Sequence, residues 1–413
     1  MTGSDVIVIG GGAAGLVAAI SAKTAGADVT ILERNPRVGK KILATGNGRC
    51  NFTNIYADTK YYNGNNPCFV RGALSAFTVK DTIRFFEQLG IEHKVEDNGK
   101  VFPMSDQASS ILDVLLYELN DKKINVVCDC MVTDIGRKGD RFVISTDKGD
   151  TYSAYSVILA TGGKAMPSSG SDGNGYDLAR KLGHRITDIF PALVQIMLEG
   201  RFFKQIEGVK VEGTAEIIFQ GKSVAKDRGD ILFANYGVSG PPILQISRKA
   251  GELLNKGKEA YVKITLMDMP EEKLRFILNR RFEDLHDKPL DVSFIGFVNK
   301  RLIPVILQEA GIDNIKKPVS ALTEKEKEKI TGILTDWRMK IRGTKSWPSA
   351  QVTAGGVDTR DIDENTLESR IVKGLFFAGE IIDIDGLCGG FNLQWAWSSG
   401  YVAGKNAALR RKP

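Results

Sequence analysis

The sequence predicts an α/β protein: a βαβ unit opens the chain, the C-terminal stretch completes it, and an insertion of different character separates the two. Three observations carry this. Residues 6–33 read as strand, glycine turn, helix and strand; two later strands run into glycine-containing turns, at 157–163 and 375–380; and between about 190 and 343 the glycine motifs stop.

In "DVIVIGGGAAGLVAAISAKTAGADVTILER", Val6 to Ile9 form an apolar run, Gly10-x-Gly12-x-x-Gly15 opens a helix, and Val29 to Leu32 make the second strand. Gly10 permits a tight turn, Gly12 lets backbone approach a pyrophosphate, and Gly15 lets helix meet strand. The helix start offers free N–H groups and the positive end of its dipole to phosphates. Glu33, 18 residues after Gly15, stands where an acid accepts hydrogen bonds from a ribose 2′-hydroxyl. With strand, turn, helix and acid all present, the unit is expected to bind a dinucleotide, and the acid favours FAD or NAD over NADP.

The next stretch, "KKILATGNGRCNFTN" from Lys40 to Asn54, is too polar for a core strand and too rich in Gly and Asn for a helix. It reads as a long loop that offers backbone N–H groups, amide side chains and one guanidinium to a polar, extended ligand. Ile42, Leu43, Cys50 and Phe52 argue against disorder.

Further on, Val157 to Ala160 form a buried strand closing on Thr161-Gly162-Gly163, and Asp172 is placed to N-cap a helix that runs to about Leu182 and stops at Gly183. Leu375 to Ala378 make a strand ending at Gly379-Glu380, and Gly389-Gly390 precede a helix from about Asn392 to Leu409. An acid in that place can hydrogen-bond a ribityl chain. A helix start there can face the N1–C2=O edge of a flavin, where negative charge gathers on reduction.

Composition sets bounds on these readings. The chain has 413 residues, 42% hydrophobic and 26% charged, enough for two or three ordinary domains. Its five cysteines are scattered and imply no disulfide framework. Cys128 and Cys130 share a strand face but lack a second ligand pair, so no metal site is expected. A net charge of +6 is mildly basic. It reads as a solvated surface, with an acidic partner such as RNA as the alternative. The N-terminal apolar run carries Asp5, lacks a basic leader and is broken by three glycines, so it is not read as a signal peptide. No run of about 20 apolar residues follows, and a cytoplasmic chain is expected.

With these motifs in this order the chain resembles the FAD-dependent oxidoreductases of the aminoacetone-oxidase (YhiN/BaiN-like) family, flavoproteins with two dinucleotide-binding folds. The resemblance rests on "VIVIGGGAAGLVAA", "GNGRCNFTN", "GKVFPMSDQAS", "ILATGGKAMPSSGSDGNGYDLARKLGH", "YGVSGPPILQIS", "VTAGGVDTRDIDENTLESR" and "GLFFAGEIIDIDGLCGGFNLQWAWSSGYVAG", spanning positions 6 to 404. It implies a Rossmann-like FAD-binding domain (1–190 and 344–413) interrupted by a β-barrel-like insert (191–267) and a small helical insert (268–343). By the resemblance FAD is held by Gly10, Gly12, Ala13, Ala14, Gly15, Glu33, Arg34 and Lys41, and by Thr45, Gly46, Asn47, Gly48, Asn51 and Thr53 of the loop. Met131, Val132, Ala160, Thr161, Gly162 and Gly163 extend that set, as do Gly379, Glu380, Asp383, Gly389, Gly390, Phe391, Asn392 and Gln394. Ala234-Asn235 stand where the family often has Thr-His, so the resemblance carries no essential histidine to that point. Cys388 stands where a small hydroxyl residue is common.

The insert agrees with this picture. Short strands with Gly turns fill much of 191–267, while "MPEEKLRFILNRRFEDL" and "TEKEKEKITGILTDWRMKI" have helical spacing, the latter opened by a Thr323–Glu326 capping box. Over 271–345 there are 16 Lys and Arg against 12 Asp and Glu, a solvated helical face or an RNA-facing one. No second strand–GxGxxG–helix unit follows Glu33. NAD(P)H is therefore expected only as a transient reductant over the flavin, with oxygen as the other redox partner.

The expected chemistry is hydride transfer between flavin N5 and a small unsaturated or amino-ketone substrate. The alternative is reduction of uridine in ribosomal RNA; a flavin-binding regulatory protein without turnover is the third class. Cys50 beside Arg49 is the candidate catalytic pair, a thiol whose pKa the cation lowers, or else a packed spectator. His93, His184 and His286 read as structural, and Tyr236 and Ser239 as substrate contacts or as a turn entering a helix.

Overall fold

The computed structural model describes residues 2–410. It divides into two compact units, one formed by the chain up to Phe190 and from Gln351 onward, the other by Pro191–Ala350.

The first unit is built on β1 (Thr2–Ile9), α1 (Ala13–Thr24) and β2 (Val29–Leu32). A parallel sheet runs in the order Asn125–Val127, β2, β1, Thr151–Leu159, Leu375–Phe377. An antiparallel hairpin, Val132–Lys138 with Arg141–Thr146, brings it to seven strands. Its central strands are near-continuous apolar runs because both faces are covered; Val6 to Val8 and Val157 to Leu159 have no exposure. The register sets Ile9 opposite Leu32 and Leu159, and Leu159 opposite Phe377. The glycine turn, Glu33, the Ala160–Gly163 segment and Gly379-Glu380 therefore all leave the same edge of the sheet, the carboxyl edge where such sheets hold ligands.

α1 is buried over Ala14–Ala22, as a helix apolar all round must be. Its outer cover is the C-terminal helix, Phe391–Leu409. A Cβ on Gly400 would stand 2.4 Å from the Ala14 carbonyl oxygen, and one on Gly404 2.1 Å from that of Ala18. The two backbones touch, and only glycine fits between them.

The second unit is a closed barrel with strand order Ile196–Leu198, Gly237–Ser239, Lys222–Ala234, Lys210–Phe219, Tyr261–Thr265, Trp337–Thr344. Helices Glu271–Asp284, Leu302–Glu309 and Glu324–Thr335 follow its fifth strand, and the Thr323–Glu326 capping box is present. One stretch differs from expectation. Residues 337–344, all but the last read above as part of the helical insert, form the strand that closes the barrel, pairing with both Tyr261–Thr265 and Ile196–Leu198. Trp337, Met339 and Ile341 are buried while Arg338 and Lys340 turn outward, a period of two that begins once the helix ends at Thr335. Among the described residues no helix is long and apolar enough to cross a membrane.

Gly404→Ala forces α1 and the C-terminal helix apart and lowers stability by about 1–3 kcal/mol. Gly332→Ala, in a helix where a Cβ meets nothing within 4 Å, raises it by about 0.5–1 kcal/mol; thermal and denaturant unfolding of the two variants gives opposite signs. His184 is buried, with Nε2 2.7 Å from Ser369 Oγ and its ring edge-on to Phe377. Burial lowers its pKa below 6.5, against the smaller raising effects of the Ala179 carbonyl and Asp361. The unfolded chain thus takes up this proton first, so the His184 contribution is complete above about pH 6.5 and shrinks as pH falls below it. Urea unfolding of wild type and His184→Gln from pH 8 to 5 shows the gap between them narrowing on acidification.

Candidate functional site

At the glycine turn the three residues behave differently. Gly10 has φ +104 and a Cβ there would strike the Ala160 carbonyl at 2.5 Å; a Cβ on Gly15 would lie 1.9 Å from the Gly10 carbonyl; a Cβ on Gly12 would meet nothing within 4 Å. Gly12 is also the N-cap of α1 and makes no side-chain cap, so the first N–H groups of the helix are left for a ligand to bond. Glu33 Oε2 accepts from Gly11 N at 2.8 Å, and Oε1 accepts from Asn35 N and Nδ2 at 2.8 and 2.7 Å. The carboxylate is held at the end of β2 with its remaining lone pairs to offer. Arg34 pairs with Asp172 at 2.5 Å, tying this corner to the segment after Gly163. Asp172 accepts from Asn174 N, and the helix it precedes, Asn174–Lys181, starts from Gly173.

The loop is more ordered than the sequence suggested. Lys40–Ala44 makes one helical turn and Thr45–Gly48 a 3-10 turn that bends at Gly46 and Asn47, both left-handed. Cys50 too has φ +58, a strained value for a non-glycine residue. Surrounding bonds hold it there: Cys50 N donates to Thr45 O, Phe52 N to Val101 O, and Val101 N to Asn51 Oδ1. The strand Lys100–Pro103 pairs with Thr53–Asn54 and with His93–Val95, giving the loop a small sheet to lie on.

Arg49 does not reach out for a ligand. Its guanidinium bonds Glu96 and Asp106, the latter at 2.8 Å through Nε, and lies 4.1 Å over the Phe102 ring. Lys94 joins at 2.5 Å from Asp106, and these bonds hold the Glu96 and Asp106 carboxyls below their ordinary range. Cys50 corrects the expectation of an activated thiol: it is fully buried, and burial pushes its pKa up to about 12. The cation beside it in sequence is turned toward the small sheet.

Glu380 joins three segments. Its Oε2 lies 2.6 Å from Lys41 Nζ and its Oε1 accepts from Thr353 N at 2.7 Å. Thr353 Oγ1 in turn accepts from Lys164 N and Ala165 N, just beyond Gly163. Thr353 lies outside the residues that the glycine motifs mark, although it falls within "VTAGG". The same motifs miss the two indoles of the C-terminal helix: Trp395 Nε1 donates to Gly379 O at 3.1 Å and Trp397 Nε1 to Phe52 O at 2.8 Å. That helix starts at Gly390, φ +98, with no side-chain cap, and Asn392 is bonded to both N and O of Gly386.

Several expected cofactor residues are instead interior. Thr53 and Gln394 have no exposure and bond each other at 2.5 Å, Gln394 Nε2 going on to Thr82 and Ser398. Asp383 is buried and accepts from Asn65 N; Val132 and Phe391 are likewise buried, while Met131 is half-buried with its N–H on Asp147. In the barrel unit, the Tyr236 ring lies 4.1 Å beneath Lys345 Nζ.

A Rossmann core whose glycine turn is followed by an acid at the end of β2 is a dinucleotide-binding fold, and the proteins it matches make this chain an FAD-dependent oxidoreductase. The chain belongs to the family described as HI0933-like protein Rossmann domain, which matches residues 4–406. It is 39% identical over 406 residues, 98% of each chain, to a 3-dehydro-bile acid delta(4,6)-reductase of Clostridium scindens. It is 31% identical over 404 residues, 97% of each chain, to a ribosomal RNA dihydrouridine synthase of Escherichia coli. Among solved structures, the 3-ketosteroid delta1-dehydrogenase of Sterolibacterium denitrificans shares the fold over the whole of both chains, with a TM-score of 0.51 and 12% identity.

The burial of Cys50 has a direct readout. A thiol reagent at pH 8 labels exposed Cys68 first and leaves Cys50 unmodified until the chain is unfolded; mass spectrometry of the tryptic peptides decides it.

Proposed function

We propose that this protein uses FAD to reduce a carbon–carbon double bond conjugated to a carbonyl in a small molecule. One observation carries the cofactor part of the reading: α1 and the C-terminal helix, in backbone contact through Gly400 and Gly404, both begin bare, one at Gly12 and one at Gly390. Two positive helix ends at a fixed separation suit a ligand with a pyrophosphate at one end and an electron-rich ring edge at the other.

In this reading the N–H groups after Gly12 take the pyrophosphate and Glu33 takes a ribose hydroxyl. Lys41 and Glu380 orient the ribityl chain, and the start of the C-terminal helix meets the pyrimidine edge of the ring. The loop Gly46–Asn51 covers the ring and excludes water; Arg49 holds that loop in place, and Cys50 packs beneath it. Thr53 and Gln394 brace the loop against the C-terminal helix. Bound FAD supplies two-electron hydride chemistry, and the chain supplies orientation and charge.

The substrate class is supported by what the named activities have in common. A 4,6-unsaturated 3-dehydro bile acid and a uracil ring each present a C=C next to C=O, so hydride goes to the carbon β to the carbonyl and a proton to the α carbon. A small-molecule substrate is favoured by the higher identity to the bile-acid enzyme. NADH or NADPH is the proposed reductant, arriving transiently.

Anaerobic stopped-flow of the yellow protein tests this. NADH or NADPH bleaches the flavin band, and a 4-en-3-one steroid acid restores it, whereas unmodified ribosomal RNA does not. Bleaching by an amino ketone and by neither nucleotide would replace the reductase with an oxidase. Gly12→Val, which fills the open space, yields a folded, colourless protein.

A further inference from the structure

Lys100 opens the strand Lys100–Pro103 and stands opposite Asn54 in the pairing. Asn54 Nδ2 donates to Gly389 O at 2.8 Å and to Asn98 O at 3.0 Å, fixing the end of the loop against the turn that starts the C-terminal helix. The Lys100 side chain runs to the same turn: its Cε lies 3.7 Å from where a Cβ on Gly389 would stand. The nearby carboxylates of the small sheet are taken, Glu96 and Asp106 by Arg49 and Lys94. Among the described residues the Lys100 ammonium meets no carboxylate and no hydrogen-bond acceptor, although the residue is half-buried.

We propose that Lys100 is the cation for the negative charge that collects on the N1–C2=O edge of the reduced flavin. The inference rests on the reading that the start of the C-terminal helix faces that edge. A hydride arriving at N5 would put its electron pair into the new N5–H bond, the displaced ring pair would gather on N1 and C2=O, and a cation beside that edge would hold the charge without waiting for a proton. Lys100 then does what the helix end does only in part, since a helix end carries about half a charge.

Sulfite reports this charge without any substrate. Its sulfur lone pair forms a bond to N5 of oxidised flavin, and the displaced pair moves to the same N1–C2=O edge. The FAD-loaded wild type, Lys100→Met, Lys100→Gln and Lys100→Arg are titrated with sulfite, read from bleaching of the flavin band, and their two-electron midpoint potentials are measured against reference dyes. The two neutral variants are expected to bind sulfite about tenfold or more weakly and to show midpoints lower by about 30 mV for each tenfold. Lys100→Arg recovers most of both. Neutral variants that stay yellow with wild-type sulfite affinity and potential overturn the role of Lys100 and leave the flavin reading standing. An Arg variant as impaired as the Met variant also overturns it, since shape rather than charge would then matter. A wild type that takes up no FAD overturns both.

Discussion

The contact on which the site depends is the backbone contact between α1 and the C-terminal helix. Two glycines one turn apart, Gly400 and Gly404, bring the second helix against the Ala14 and Ala18 carbonyls. Close-packed interiors transmit small displacements, so the start of α1 and the start of the C-terminal helix are fixed in relation to each other. Everything that the sheet edge presents to a ligand is measured from those two points.

The C-terminal helix then fixes the loops by hydrogen bonds rather than by bulk. Trp395 reaches Gly379, Trp397 reaches Phe52, and Ser399 accepts from Gly379 N. Glu380 and Thr353 knit the adjoining turns together. A strained residue such as Cys50, and the left-handed bends at Gly46 and Asn47, persist because so many bonds over-determine the loop. Preorganisation of this kind lets a bound cofactor meet fixed dipoles, with no reorganisation at the moment of reaction.

Charges at the rim are divided between architecture and function. Arg49, the most conspicuous cation of the loop, is engaged by Glu96 and Asp106 and so braces the small sheet. Lys41 is joined to Glu380. Lys100 is left with its charge unmatched among the described residues, which adds a cation at the turn that starts the C-terminal helix.

What the sequence alone determined was local. The glycine turn, the acid after β2, the strand ends at Ala160 and Ala378, the capping box at Thr323 and the C-terminal helix were all legible. Backbone sterics, capping and short-range periodicity act between residues a few positions apart. Tertiary structure decided the rest, because partners and burial are set by segments remote in the chain. Arg49 finds Asp106 57 positions away and Thr53 finds Gln394 341 positions away; neither pairing leaves a trace in the neighbouring residues. The pKa of Cys50 followed burial rather than its sequence neighbour. Residues 337–344 became a strand because two barrel edges, at Ile196–Leu198 and Tyr261–Thr265, needed closing. The alternation of Trp337, Met339 and Ile341 with Arg338 and Lys340 is local, but which edges such a strand closes is a property of the assembled fold.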